Sequence, residues 1–173
     1  MIDTDAGERP AELVYSQRMS EMLTRIYPQA GEELQLAARA QHLKRWTLPR
    51  SDFEMDRKGY NAWRAAAKIK HAEDAAEILA SAGYEAREIE RVQSLIRKLR
   101  VKHDEEAQAV EDIACLVFLE HYFSAFAAKH DDEKLIRILR KTWVKMSAKA
   151  HEAALKLPLD KASVALIEQA LAE

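Results

Sequence analysis

Apolar residues recur along most of the chain at spacings of three and four positions, the periodicity of amphipathic α-helices rather than of strands. The pattern predicts six helices, at about 10–26, 31–46, 59–83, 85–99, 104–128 and 132–155, and a short amphipathic helix in the tail 158–173. The stretch 47–58 contains Pro49 and has no helical period, so it is predicted to be the longest loop.

The predicted fifth helix differs from the others. Its segment IACLVFL (113–119) is apolar on every side, whereas the residues before it are polar. A helix that is apolar all round is typical of the interior of a fold. We therefore expect this helix to run through the middle of the protein.

The composition favours the same class of fold. The 173 residues include only 4 glycines and 4 prolines, and 48% of them are hydrophobic. Abundant Ala, Leu, Glu, Lys and Arg lose little rotamer freedom in a helix. The predicted fold is all-α, a single-domain bundle of about six or seven helices, with a flexible N-terminus over 1–9, a helical domain over 10–157 and the tail helix over 158–173.

The compartment is predicted from three features. The single cysteine, Cys115, lies in an apolar run and has no partner for an internal disulfide. The first ten residues, MIDTDAGERP, lack the basic start and apolar core of a secretory signal. No apolar stretch approaches the ~20 residues of a membrane span. We expect a cytoplasmic protein with no membrane partner.

Ionisable side chains stand beside strongly apolar helical sequence at three places. They are His42, His71 and the adjacent pair Glu111 and Asp112. Burying such groups costs free energy unless each has a partner or a metal. Imidazole and carboxylate together suit a divalent metal ion, so His42, His71 and Asp112 are predicted as its ligands. The alternative, that each histidine is a satisfied core or surface residue, stays open.

The strings around these residues resemble the HD-domain superfamily of helical metal-dependent phosphohydrolases. They are AARAQHLKRW (37–46), KHAEDAAEILASAGYEAREIERVQSLIRK (70–98) and EDIACLVFLEH (111–121). The likeness covers about residues 10 to 125 and lies in pattern and spacing. It implies an HD-like bundle whose metal ligands come from three separate helices.

The chain departs from the HD pattern at three places. Leu43 stands where the family has the Asp of its His-Asp pair, Tyr15 or a neighbour where an early His lies, and Lys98 where another His closes the fourth helix. Transferred residue by residue, only His42, His71 and Asp112, or Glu111 in its place, remain as ligands. The resemblance thus implies a metal site that is weak, mononuclear or absent.

Shorter strings resemble a second family, bacterial and fungal, which is known only as a domain of unknown function. They are QHLKRW, GYNAWR, EDIACLVFLEHY and KTWVKMS, and some members of that family carry a glutamyl-tRNA synthetase-like label. KMSAK (145–149) does resemble the ATP-contacting loop of such synthetases. The chain offers neither the βαβ alternation nor the glycine-rich turn of a nucleotide-binding sheet, which argues against that label. We expect these residues to continue the sixth helix.

Basic residues predict the class of ligand. The net charge of −2 conceals clusters of Lys and Arg on the second, fourth and sixth helices and on the loop. Arginine binds phosphate and carboxylate bidentately, so an anionic small molecule is expected. A solvated charged face is the alternative, and RNA is disfavoured by the pI of about 6.3. The predicted substrate-binding residues are Arg39, Arg45, Arg50, Arg64, Lys98, Lys102 and Lys145.

Three functions follow from these patterns. The first is a metal-dependent phosphohydrolase acting on a nucleotide or another phosphorylated small molecule, with Glu111 as general base and with Arg39 and Lys98 neutralising phosphate charge. The second is a catalytically inactive HD-like module that binds an anionic ligand, RNA or a protein. The third is a helical metal oxygenase, because His and carboxylate ligands in a bundle also hold iron.

Overall fold

The computed structural model describes Met1 and residues 7–172. In that part of the chain we find nine α-helices, three short 3-10 helices and no β-strand, so the predicted all-α class is confirmed. The α-helices are α1 Ala11–Ile26, α2 Glu32–Arg39, α3 Arg57–Ser81, α4 Ala86–Ile96, α5 Glu105–His121, α6 Phe123–Ala127, α7 Asp132–Trp143, α8 Ala148–Ala154 and α9 Lys161–Leu171. The 3-10 helices are Arg45–Thr47, Arg50–Asp52 and Val101–His103.

The predicted helix count was wrong because two predicted helices are interrupted, and a further one is shorter than predicted. The second ends at Arg39 instead of continuing to Trp46. The fifth breaks at Tyr122 into α5 and α6. The sixth breaks before Ser147, whose side chain accepts a hydrogen bond from the backbone N–H of Ala150 and so caps α8. The KMSAK segment is therefore an interhelix turn followed by a helix start.

The chain divides into two compact units, Met1–Val110 and Glu111–Glu173, where the sequence pattern predicts one domain over 10–157. Helices α1 to α4 belong to the first unit and α6 to α9 to the second, while α5 crosses the boundary. Each unit is described by itself below.

The first unit is built on α2, which contacts both α1 and α4, and on the packing of α3 against α4. The apolar residues of α4 follow the 3.6-residue period, and this helix packs against α2, whose Ala37 and Ala38 are fully buried. The buried core side chains here are Met19, Met22, Leu23, Ala37, Ala38, Val92, Leu95 and Ile96.

The long helix α3 begins at a specific turn. The side chain of Asp56 accepts a hydrogen bond of 2.7 Å from the backbone N–H of Gly59, which caps the helix. Gly59 is buried, and a Cβ atom on it would lie 2.1 Å from the carbonyl oxygen of Glu54. The approach of 47–58 to the helix start therefore requires glycine at this position.

The second unit buries the residues of α5 that the sequence predicts to be internal. Ile113, Leu116 and Val117 have no exposed surface, and neither has Phe123 of α6. Helix α9 contacts both α6 and α7. Along the described residues, no helix combines the length and the apolarity needed to cross a bilayer.

Candidate functional site

A cleft of about 460 Å³ lies in the first unit. Its walls come from α1, α2, the turn after α2, α3 and α4. Most of the lining is apolar, and three of the apolar side chains, Leu13, Trp46 and Ile78, are themselves exposed to solvent. The cleft therefore presents apolar surface that the protein leaves uncovered.

The charged residues that line this cleft are mostly basic. Arg39, His42 and Lys44 line it, and Glu12 is the one carboxylate among the described lining residues. Arg39 donates a weak hydrogen bond of 3.4 Å to the hydroxyl of Ser20, so most of its five donors are free for a ligand. The sequence-predicted pair of Arg39 and His42 is thus brought to one cavity.

The segment 41–48 is held along α3 by three interactions. The carbonyl of Leu43 accepts a 2.7 Å hydrogen bond from Nδ1 of His71, and the carbonyl of Leu48 accepts one of 2.9 Å from Nε1 of Trp63. Lys44 lies 3.5 Å from the carboxylate of Asp74. Lys44 adopts the left-handed conformation with φ 48°, which is costly for a residue other than glycine. These contacts fix where His42 and Lys44 enter the cleft.

His42 is an uncharged imidazole at the centre of a basic cluster. Its ring stacks on Tyr15 with 3.6 Å between centroids, and its Nε2 accepts a 2.6 Å hydrogen bond from the guanidinium of Arg45. Burial, followed by the charges of Arg45, His71, Lys98 and Arg64, lowers the pKa of His42 from 6.5 to about 2. The proton of the neutral ring is consequently on Nδ1.

This shifted pKa predicts a loss of stability in mild acid. The folded protein keeps His42 unprotonated while the unfolded chain protonates it below its ordinary pKa of 6.5, so stability falls as pH drops from 6.5 towards 2. For this one group, the slope of the free energy of unfolding against pH approaches about 1.4 kcal/mol per pH unit. Urea unfolding at pH 6, 5 and 4 measures it, and His42→Gln should reduce the slope.

The matched control for that measurement is His103→Gln, which replaces a solvent-exposed histidine and leaves the buried ring of His42 in place. Burial also lowers the pKa of His71, so a smaller slope of the same sign should remain in the His42 variant. Equal slopes in the wild type and His42→Gln would contradict the assignment of a neutral, buried His42.

His71 has one ring nitrogen free. Its side chain is buried, with Nδ1–H donating to Leu43, while Nε2 has no hydrogen-bond partner. The rings of His42 and His71 lie 6.1 Å apart. Asp74, one turn later, is also buried; burial works to raise its pKa, but the hydrogen bond from Lys70 and the charge of Lys44 leave it lowered. One oxygen of Asp74 has no partner either.

The predicted metal ligands do not fit a metal site as they stand. The Nε2 of His42 is occupied by Arg45, and both carboxylate oxygens of Asp112 accept hydrogen bonds from the backbone N–H and the hydroxyl of Ser147. Of these three side chains, only His71 has a ligating atom without a hydrogen-bond partner, its Nε2. Across residues 7–172, no group of three or more His, Cys, Asp or Glu side chains could hold a metal ion.

The remaining predicted substrate residues of the first unit divide by environment. Lys98 and Arg64 act electrostatically on His42, and Lys98, two residues after the last residue of α4, has the left-handed conformation with φ 56°. Arg50 donates instead to the carbonyls of Phe53, Glu54 and Asp56 and so holds its own loop together. Lys102 is exposed in the 3-10 helix Val101–His103.

Three predicted site residues belong to the second unit. Lys145 lies 3.9 Å from the carboxylate of Glu111, and Asp112 bonds to Ser147 as described. The predicted general base Glu111 therefore has a cationic neighbour within its own unit.

Sequence reasoning missed the roles of Lys44 and Asp74 and noted Tyr15 only as the position of an absent histidine. Asp74 carried a signal, because it follows His71 by one turn on the same helix. The stacking of Tyr15 on His42 joins α1 to the turn after α2, and no local pattern in either segment predicts that contact.

The comparisons with known proteins agree with one of the two resemblances. A family model described as "Domain of unknown function (DUF4202)" matches residues 1–167. No curated protein and no solved structure matches the chain. The likeness to HD-domain phosphohydrolases therefore stays a prediction.

Proposed function

The chain belongs to the DUF4202 family, and we propose that its first unit is a binding module for an organic anion with an apolar body, held in the cleft without a metal ion. The observation that carries this proposal is the lining of the cleft, which is mostly apolar and carries two cations, Arg39 and Lys44, against one carboxylate, Glu12. A ligand that matches both parts is an amphiphile with one anionic end.

The dimensions of the cleft support a small molecule. Ligand sites of proteins commonly measure about 300–1,000 Å³ and are largely apolar with few polar groups. At about 460 Å³ the cleft lies within that range. The exposed Leu13 and Ile78 at its wall would lose their contact with water on binding, which is favourable.

The charge of the cleft supports an anion over a neutral ligand. Neutral His42 contributes no positive charge but carries a donor on Nδ1. Arg39 supplies a planar fork that can bind a carboxylate or phosphate through two parallel hydrogen bonds. Lys44 shares its charge with Asp74, so Arg39 is expected to be the main anchor of the anionic group.

Binding is tested with three probes, decanoate, decyl phosphate and neutral decanol, by titration calorimetry below their critical micelle concentrations. We expect an anion to bind and decanol to bind at least about tenfold more weakly. Arg39→Ala should weaken the anion about tenfold and leave decanol unaffected. Arg87, exposed on α4 and outside the cleft lining, provides the charge-matched control, Arg87→Ala.

The apolar wall is tested with two isoleucines of α3. Ile78 lines the cleft and Ile69 does not, yet both are 45% exposed, so a carboxylate at either position should be tolerated by the fold. Ile78→Glu should abolish anion binding, while Ile69→Glu should bind as the wild type does. Equal effects of the two substitutions, or no binding of either anion by the wild type, would refute the proposal.

A hydrolase acting on a phosphorylated small molecule is the second candidate, and one observation favours it. His71 donates its Nδ1–H to a backbone carbonyl, so its buried Nε2 is the basic nitrogen and has no hydrogen-bond partner, which is the tautomer a general base needs once a water molecule reaches it. Release of phosphate from decyl phosphate by the wild type and its loss in His71→Gln would support this candidate. Binding of decyl phosphate without release of phosphate would favour the binding module over the hydrolase.

A further inference from the structure

Two arginines of the first unit lie over aromatic rings of α3. The guanidinium carbon of Arg45 is 4.4 Å from the centre of the Trp63 ring, and that of Arg64 is 5.9 Å from the centre of the Tyr60 ring. The two rings are 5.8 Å apart. Positions 60, 63 and 64 lie on one face of the helix, so the four side chains form a continuous cluster, here called the arginine–aromatic cluster.

Neither arginine has an acidic partner. Among the described residues, no carboxylate lies within ion-pair distance of Arg45 or Arg64. The hydrogen bond of Arg45 goes to His42, which is neutral. Glu12 and the phenols of Tyr15 and Tyr60 act on Arg45 only through longer-range electrostatics. Arg45 is half-buried and Arg64 is exposed, so the uncompensated charge is costly mainly at Arg45, and a bound anion removes that cost.

The geometry points to a binding site for a phosphate-type oxyanion, held between the guanidinium groups of Arg45 and Arg64. A ring stacked on the face of a guanidinium leaves its N–H edge free to bind oxygen. Arg45 uses one N–H group for its hydrogen bond to His42, and Arg64 makes no hydrogen bond among the described residues. Two such forks suit the several oxygens of a phosphate better than the two of a carboxylate.

A third cation adds to the positive potential of this site. Like Arg45 and Arg64, Lys98 lowers the pKa of His42 through its charge. A dianion is therefore favoured over a monoanion. The ligand class is a phosphate monoester or inorganic phosphate itself.

This site is separate from the one proposed above. None of the four members of the arginine–aromatic cluster lines the cleft, whereas His42 both lines the cleft and bonds to Arg45. Failure of either proposal is thus distinguishable from failure of the other, because decanoate probes the cleft and inorganic phosphate probes the cluster.

The test is a titration of the full chain with inorganic phosphate at low ionic strength, followed by calorimetry and by the indole N–H signals of the three tryptophans. We expect saturable binding and a shift of the Trp63 signal. Arg45→Lys and Arg64→Lys keep the charge and remove the fork, and each should weaken binding about tenfold. Circular dichroism checks that both variants remain folded.

The control is Arg57→Lys, an exposed arginine at the start of the same helix, which should bind phosphate as the wild type does. Equal weakening in Arg57→Lys would reduce the effect to general charge attraction and overturn the proposal. The absence of saturable binding at millimolar phosphate, or binding that leaves the Trp63 signal unmoved, would overturn it as well.

Discussion

Replacing Gly59 by alanine is expected to lower the free energy of unfolding by about 3 kcal/mol or more, a large share of a small domain's stability. The added Cβ atom would lie 2.1 Å from the carbonyl oxygen of Glu54 and 2.9 Å from its Cα. Both are backbone atoms, so no side-chain rotation relieves the clash. The segment 47–58 would have to move away from the first turn of α3.

Two other glycines provide controls for this variant. An alanine at Gly31 would make only ordinary contacts, at 3.7 Å or more, and should change stability little. Gly83 follows α3 with φ +89° and has open space around it, so alanine there should cost about 1 kcal/mol through the backbone alone. Urea unfolding of the three variants measures the order of their free energies of unfolding. A Gly59→Ala protein as stable as Gly31→Ala would contradict the described start of α3.

The same variant connects stability to the site. The loop that contacts Gly59 leads back through Leu48, whose carbonyl accepts the hydrogen bond of Trp63, to Lys44 and His42. If the loop moves, the arginine–aromatic cluster and the wall of the cleft move with it. Phosphate and anion binding should therefore both weaken in Gly59→Ala, even at temperatures where the protein stays folded.

The fold class could be predicted from the sequence because it depends on local periodicity. Helix α1 starts within one residue of its predicted position and ends where predicted, and the start of α7 is predicted correctly. The interruptions could not be predicted, since Tyr122 and Ser147 lie in stretches with continuous helical period. At Ser147 a side-chain cap and a contact with Asp112, 35 residues away, override that period.

The candidate site was predicted in part. The sequence identified Arg39, His42 and Arg45. In the structure Arg39 and His42 line the cleft, and Arg45 forms a hydrogen bond with His42. It could not predict whether His42 faces a metal or a guanidinium. That distinction depends on Arg45, three residues away, turning its side chain back onto the ring, which is a tertiary effect of its contact with Trp63.

Substitutions of Asp112 are expected to have the second large effect on stability. They also distinguish the predicted role of Asp112 as a metal ligand from a structural role. Its carboxylate is completely buried and accepts hydrogen bonds of 2.8 Å and 2.5 Å from the N–H and hydroxyl of Ser147. Asp112→Ala should lower the free energy of unfolding by about 3 kcal/mol, because it leaves two partly buried donors of Ser147 without their acceptor and removes a buried side chain. Asp112→Asn keeps one acceptor and should cost about half as much.

The control is the neighbouring Glu111→Gln, a half-buried carboxylate 3.9 Å from Lys145, which should cost no more than about 1 kcal/mol. The decisive comparison is thermal unfolding with and without excess zinc or manganese. If Asp112 is structural, Asp112→Ala should lower the melting temperature equally with and without the metal, because the oxygens of Asp112 already accept hydrogen bonds from Ser147. A metal that raises the melting temperature of the wild type and fails to raise that of Asp112→Ala would instead make Asp112 a ligand and restore the metal-dependent prediction.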